Sequence, residues 1–128
     1  MPTQRSPTDS ELAILGVLWE RGASTVREVQ DGLPKDRRMG YTTALKLLQI
    51  MHEKGLVKRD ESRRAHVYRA SVAKEPTQRR LVRNLLQKGF GGSAQDLVLR
   101  VLESKPCSDE ELREIRDLLE RFDKGEPQ

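Results

Sequence analysis

The sequence predicts a mainly α-helical fold with one small β hairpin, and three patterns carry that prediction. Apolar residues recur at helical intervals in six segments of the chain. The period changes from helical to extended between residues 56 and 70, where β-forming residues flank an arginine-containing turn. Ser or Thr precedes Glu by three residues at three predicted helix starts, a spacing typical of capping boxes. These pairs are Thr8 and Glu11, Thr25 and Glu28, and Ser108 and Glu111.

Two short helices come first. One is predicted to begin near Thr8 and to end at Gly22, and the other begins near Thr25. Pro34 and the basic loop at residues 35–38 separate the second helix from the third. The predicted buried stripes consist of Leu12, Ile14, Leu15, Leu18 and Trp19 in the first helix, and of Val26, Val29 and Leu33 in the second.

The third predicted helix lies between Gly40 and Gly55 and has two unlike faces. Gly55 can adopt the left-handed conformation that closes a helix. Considered alone, the polar face is typical of a solvated helix, and the flanking segments favour a second interpretation as a DNA-reading surface. The apolar arc holds Ala44, Leu47, Leu48 and Met51, with Leu45 at its border; the polar arc holds Thr42, Thr43, Lys46, Gln49, Ile50 and Glu53.

The hairpin follows the third helix directly. Residues 56–61 and 66–70 are the predicted strands, and residues 62–65 form the turn between them. Two short helices, a turn and a third helix form the core of a helix-turn-helix domain, and a hairpin after them is a wing. We expect the wing to place Arg63 and Arg64 over the phosphate backbone or minor groove of DNA, although charged hairpin tips are also common without such a function.

The positive charge of the chain is concentrated around these elements. Residues 35–69 hold ten basic and four acidic side chains, whereas residues 76–128 hold ten of each. A basic segment of this kind indicates a nucleic-acid partner. The predicted DNA-binding residues are Arg38, Tyr41, Thr42, Thr43, Lys46, Gln49, Ile50, Arg63 and Arg64.

Three further amphipathic helices are predicted from residue 76 onward. Pro76 and Thr77 open the first of them, a glycine-rich break covers residues 88–93, and a second break covers residues 106–108. So short a segment is too small to bury a sufficient core of its own, which predicts burial against a second copy of the chain. We therefore divide the chain into a winged-helix DNA-binding domain at residues 1–75 and a helical dimerisation domain at residues 76–128. The predicted dimerisation residues are Leu81, Leu85, Leu97, Val98, Val101, Leu102, Leu112, Ile115, Leu119 and Phe122.

Several other classes of function have little support in the sequence. His52, His66 and Cys107 are too few and too scattered for a metal site, and Cys107 cannot form a disulfide within one chain. No nucleophile-and-base pattern points to an enzyme. Gly89–Gly92 is not a phosphate-binding loop, because no Lys-Ser or Lys-Thr pair follows the glycines. No apolar run approaches the roughly 20 residues that span a bilayer. We expect a cytoplasmic protein that inserts in no membrane, needs no cofactor and is not an enzyme.

The chain resembles the BlaI/MecI/CopY-type penicillinase repressor family over roughly residues 8–122. The most specific part is the Tyr41-Thr42-Thr43 string followed at the correct spacing by Lys54-Gly55-Leu56-Val57. The other carriers are Leu12, Ile14, Leu18 and Trp19, residues 25–29, residues 64–68, residues 97–99 and the helix after Ser108.

The resemblance implies a winged-helix repressor that binds a pseudo-palindromic DNA operator as a homodimer. In the best-known members a membrane sensor protease triggers cleavage at an Asn-Phe bond. The matching positions here hold Arg100 and Val101, so that cleavage site is absent as such. The copper-responsive branch carries a cysteine cluster, whereas this chain has one cysteine. Lys46 stands where the family often has threonine, and Ile50 where it often has arginine. The alternative function is a winged-helix module that binds proteins and not DNA.

Overall fold

The computed structural model describes residues 6–125 and divides the chain into two compact units, with the boundary in the sequence between Leu81 and Val82. The predicted fold class, mainly α with a small β wing, is confirmed. The assignment of residues 1–75 and 76–128 to separate functions stays a prediction. The elements are α1 (Asp9–Arg21), β1 (Ser24–Thr25), α2 (Val26–Gly32), a 3-10 helix (Lys35–Arg37), α3 (Tyr41–Lys54), β2 (Val57–Asp60), β3 (Val67–Ala70), α4 (Lys74–Phe90), α5 (Ala94–Ser104) and α6 (Asp109–Asp123).

Complete capping boxes start the first two helices. The Thr8 hydroxyl accepts the Glu11 N–H at 3.2 Å, and the Glu11 carboxylate accepts the Thr8 N–H at 2.9 Å. Thr25 and Glu28 exchange the same two bonds at the start of α2. Each box satisfies two backbone donors that the helix itself leaves without a partner, so both predicted starts are confirmed.

The third predicted box is only half formed. The Ser108 hydroxyl accepts the Glu111 N–H at 3.0 Å at the start of α6. The Glu111 carboxylate does not return to Ser108 and instead lies 3.5 Å from Lys105 Nζ. A nearby ammonium attracts the carboxylate more strongly than a neutral N–H group does.

The sheet has three antiparallel strands in the order β1-β3-β2. Tyr68 on β3 lies opposite Ser24 on β1 and opposite Arg59 on β2. The wing strands β2 and β3 confirm the predicted hairpin, whereas β1 was not predicted. Two residues are too few to establish an alternating pattern, and β1 exists because β3 offers it backbone partners.

The core of the N-terminal unit lies between α1, α2, α3 and the sheet. Trp19 is half-buried, and its indole N–H donates to the Val72 carbonyl at 3.0 Å. Val17 and the carboxylate-bearing Glu11 are buried although neither was predicted to be. The buried apolar side chains are Ile14, Leu15, Val17, Leu18, Val26, Val29, Leu33, Ala44, Leu48, Met51, Leu56, Val57 and Tyr68.

Two predicted boundaries near α4 are wrong. The helix begins at Lys74, two residues before Pro76, and continues through Gly89 to Phe90. Proline is tolerated in the first turn because the N–H groups there have no intrahelical acceptor. Gly91 and Gly92 end the helix with φ angles of 55° and 83°. The break is therefore shorter than the predicted residues 88–93.

Candidate nucleic-acid interface

Helix α3 separates its apolar and polar residues as the sequence predicts. Ala44, Leu48 and Met51 are buried in the core. At its end Gly55 has a φ of 83°, and the following Leu56 N–H donates to the Met51 carbonyl at 2.9 Å. The opposite side of α3 exposes Thr42, Thr43, Lys46 and Gln49, while Leu45, Leu47 and Ile50 are half-buried.

Contacts from neighbouring elements fix the start of α3. The Gln30 side-chain amide on α2 donates to the Met39 carbonyl at 3.3 Å, just before the helix. The Arg27 guanidinium on α2 lies 5.9 Å from the centre of the Tyr41 ring, within the range of a cation–π contact. One contact joins α2 to the residues just before α3 and the other joins it to the first residue of α3, so the exposed residues of α3 project from a supported helix.

A buried ion pair fixes the other end of α3. Lys54 Nζ lies 3.1 Å and 2.8 Å from the two carboxylate oxygens of Glu11 on α1. The Glu11 side chain is 2% exposed and that of Lys54 is 28% exposed. Lys54 therefore neutralises a buried carboxylate and is not available to DNA, although it belongs to the basic segment at residues 35–69. The burial of Glu11 could have been predicted from the sequence, because Glu11 precedes Leu15 and Leu18 at helical spacing on the apolar side of α1. Its pairing with Lys54 could not.

The wing tip is shaped by a short turn. The Ser62 N–H donates to the Asp60 carboxylate at 2.9 Å. This bond, then the Ser62 hydroxyl and the charges of Arg63 and Arg69, lower the pKa of Asp60 below its ordinary value. Arg63 and Arg64 are exposed directly after the turn. Both predicted DNA-binding arginines thus project from the tip between β2 and β3.

Several cations of the basic segment have other partners. Arg59 Nε lies 2.6 Å from the Glu61 carboxylate. The Tyr68 hydroxyl and then Glu61 raise the pKa of the Arg59 guanidinium above its ordinary value. Arg37 lies 3.6 Å from Asp9 on α1. The charges of Arg59 and Arg37 are thus paired with carboxylates, and exposed pairs of this kind add little stability.

Three predicted DNA-binding cations keep their charge available. Arg38 comes just before α3, Lys46 lies in the middle of α3, and Arg64 lies at the wing tip. Within residues 6–125, none of them forms an ion pair with a carboxylate. An exposed cation without a carboxylate partner is a ready site for a phosphate or a base edge. Which of the nine predicted residues touch DNA stays a prediction.

The C-terminal helices leave much apolar surface uncovered within one chain. No residue of α4, α5 or α6 is buried, and all three helices fall within the described residues. Leu119 and Phe122 on α6 are 59% and 60% exposed. Of the other predicted dimerisation residues, Leu85, Val98, Val101 and Leu102 are exposed, and Leu81, Leu97, Leu112 and Ile115 are half-buried.

Two other kinds of site have no counterpart in residues 6–125. In that range, no helix is long and apolar enough to cross a membrane. The same residues contain no cluster of three or more His, Cys, Asp or Glu side chains that could hold a metal ion. Cys107 is a half-buried free thiol in the turn before α6.

The helix-turn-helix core and its wing define a DNA-binding regulator of transcription. The model of the penicillinase repressor family matches residues 7–121, so the chain belongs to that family. The family resemblance seen in the sequence is confirmed, and the protein is a transcriptional repressor with a winged-helix DNA-binding fold. The family is one of repressors and not of enzymes.

Individual relatives are distant. The chain is 21% identical to the penicillinase repressor of Staphylococcus aureus over 90% of its own length and 91% of the relative's. It is 39% identical to the transcriptional regulator BlaI of Mycobacterium tuberculosis over 61 residues, which are 47% of this chain and 44% of that protein. A solved CopR repressor structure superposes with a TM-score of 0.45 at 24% identity, covering 56% of this chain and all of the other.

Proposed function

We propose that this repressor acts in the cytoplasm as a homodimer on a pseudo-palindromic operator in double-stranded DNA. Helix α3 enters the major groove, and the wing lies over the neighbouring backbone or minor groove. One observation carries the proposal: the exposed face of α3 presents Lys46 without a carboxylate partner, and the wing that follows adds Arg63 and Arg64.

The side chains of this face have different roles in the proposal. Lys46 and Gln49 donate to base edges, and Thr42 and Thr43 contact a base edge or a phosphate. Ile50 turns the exposed part of its side chain to a thymine methyl group. Arg38, Arg63 and Arg64 contact phosphates, and Tyr41 contacts the DNA backbone at the start of α3. Lys46 and Ile50 differ from the residues common in the family, so the operator is expected to differ at the bases they face.

The uncovered apolar residues of α4, α5 and α6 support the proposed homodimer. A second copy would bury Leu119 and Phe122, which a single chain leaves more than half exposed. Two-fold symmetry then places one α3 on each half-site, and a two-fold protein requires a two-fold operator.

The proposal is tested by fluorescence anisotropy, which measures binding to labelled DNA from the region upstream of the gene that encodes this protein. Affinity should fall steeply with salt, because phosphate contacts release counterions. Lys46→Ala should reduce discrimination between operator and unrelated DNA, and Arg64→Ala should weaken binding to both equally. Arg113→Ala on α6 is the matched control and should leave both affinities unchanged. If the parent chain binds no DNA at low salt, the protein-binding alternative replaces this proposal.

We also propose a membrane sensor protease as a regulating partner, on the strength of the family resemblance. The matching bond joins Arg100 and Val101 inside α5, where Arg100 Nη1 lies 2.6 Å from the Glu103 carboxylate. Proteases bind extended chain, so α5 must unfold locally before cleavage. Mass spectrometry of the repressor from induced cells should reveal fragments that end near residue 100. An intact chain during full induction would exclude this partner.

A further inference from the structure

A surface cleft of about 240 Å³ lies beside the proposed reading face. Its walls come from the start of α2, the start of α3 and the residues just before β3. Its lining contains no acidic side chain, and the lining residues are Thr25, Val26, Arg27, Tyr41, Ala65 and His66. Arg27 and His66 are absent from the predicted DNA-binding residues.

Arg27 gives the cleft its charge. It is exposed, and within residues 6–125 no carboxylate pairs with it. The adjacent Glu28 carboxylate is occupied, since it accepts the Thr25 N–H at 2.9 Å, and this bond lowers the pKa of Glu28. The Tyr41 ring, 5.9 Å from the guanidinium carbon, favours one position of the Arg27 side chain without using its N–H donors. The Arg27 guanidinium therefore lies beside the Tyr41 ring, and its N–H donors remain available to a ligand in the cleft.

The shape of duplex DNA indicates what would occupy this space. A phosphodiester strand is the ridge that separates the major groove from the minor groove. With α3 in the major groove and the wing tip at the adjacent minor groove, that strand passes between the start of α3 and the wing. The cleft lies at this position, bounded by Tyr41 on one side and by Ala65 and His66 on the other.

We propose that the cleft binds a backbone phosphate of the operator. Arg27 donates to the phosphate oxygens, Tyr41 positions Arg27, and an imidazole N–H of His66 supplies a second donor. The contact carries no base information, so it contributes affinity and register and not sequence choice. It rests on the proposed function, because it assumes that α3 and the wing face the DNA.

The first test compares Arg27→Ala with Arg27→Lys in the full-length chain. Arg27→Ala should make the slope of log affinity against log salt shallower by about 0.9 per subunit. It should weaken operator and unrelated DNA by the same factor, because the contact is to phosphate. Arg27→Lys keeps the charge and should keep most of the slope. Arg113→Ala is the matched control, and thermal unfolding verifies that each variant is folded.

The second test locates the phosphate. Operator duplexes are prepared with neutral methylphosphonates at symmetry-related backbone positions of the two half-sites, one pair of positions in each duplex. Arg27→Ala should cause no further loss of affinity on the one duplex that already lacks both contacted charges. Arg64→Ala should retain its full effect on that same duplex. If the loss caused by Arg27→Ala is the same at every neutralised position, the phosphate contact is excluded.

The affinities of the three variants distinguish a failure of the cleft proposal from a failure of the proposed function. Unchanged affinity and salt slope for Arg27→Ala, together with lost discrimination for Lys46→Ala, would overturn the cleft alone. Unchanged binding for Arg27→Ala, Lys46→Ala and Arg64→Ala together would overturn the reading face, and the cleft proposal with it.

Discussion

Glu11 keeps a carboxylate inside the N-terminal unit, where a lone charge would be strongly destabilising. Two donors compensate it: the Thr8 backbone N–H at 2.9 Å and the Lys54 ammonium at 2.8 Å. The pair joins the first turn of α1 to the last turn of α3. A buried pair of this kind adds little net stability, but removing one partner leaves the other uncompensated. The pair thus fixes the last turn of α3 against the first turn of α1.

Lys54→Met should destabilise the unit by about 2 kcal/mol, less than for a fully buried pair because Lys54 is partly exposed. Urea unfolding measures the change. Adding Glu11→Gln to this variant should recover part of the loss, since the amide oxygen can still accept the Thr8 N–H. Lys58→Met, at an exposed lysine on β2, is the control and should stay within about 0.5 kcal/mol of the parent. Equal stability of Lys54→Met and Lys58→Met would contradict the importance of the pair.

At the level of elements, the helix ends set by local sequence signals could be predicted, whereas the features set by tertiary contacts could not. The starts of α1 and α2 and the end of α3 follow from Thr8, Thr25 and Gly55, because caps act over three or four residues. Strand β1 could not be predicted, since its pairing with β3 joins residues more than 40 positions apart. The continuation of α4 through Gly89 was also missed, because helix propensity disfavours a glycine that the surrounding turns nevertheless accommodate.

The same distinction holds for the candidate site: its locally encoded parts could be predicted from the sequence, and its long-range contacts could not. The two faces of α3 and the position of Arg63 and Arg64 at the wing tip were predictable from period and turn residues. The removal of Lys54 from the free charge could not be predicted, because Lys54 finds its partner, Glu11, 43 residues away on α1. The cleft at Arg27 was equally inaccessible, since three separate segments build it.

Two glycine substitutions test the end of α3. Gly55→Ala should destabilise the protein by about 1–2 kcal/mol, because φ at this position is 83° and a β-carbon disfavours the left-handed region. Gly16→Ala in α1 is the matched control: its φ is not positive, and an added β-carbon would meet nothing within 4 Å. It should stabilise the protein by up to about 1 kcal/mol. Thermal unfolding of both variants measures the difference, and the same sign for both would refute the assignment of Gly55 as the helix cap.

At the scale of the whole molecule, residues 6–125 contain one well-buried core and one set of helices without such a core. The N-terminal unit buries thirteen apolar side chains. Helices α4, α5 and α6 bury none, yet their amphipathic sequences place apolar residues on one side. Amphipathic helices are stabilised mainly by packing of that side and less by intrinsic propensity. The order of these helices is therefore expected to depend on a second copy, which would make DNA affinity and folding functions of protein concentration.

Leu119→Asp combined with Phe122→Asp tests this dependence. Both side chains are already more than half exposed in one chain, so the loss should fall on the dimer and not on the fold of the N-terminal unit. Sedimentation should reveal monomers, and operator affinity should fall by about 100-fold or more, because each half-site is then bound separately. Arg121→Asp changes the net charge by the same amount on the opposite arc of α6 and should remain dimeric. A dimeric double variant, or a parent chain that is monomeric at operator-saturating concentration, would overturn the two-fold arrangement.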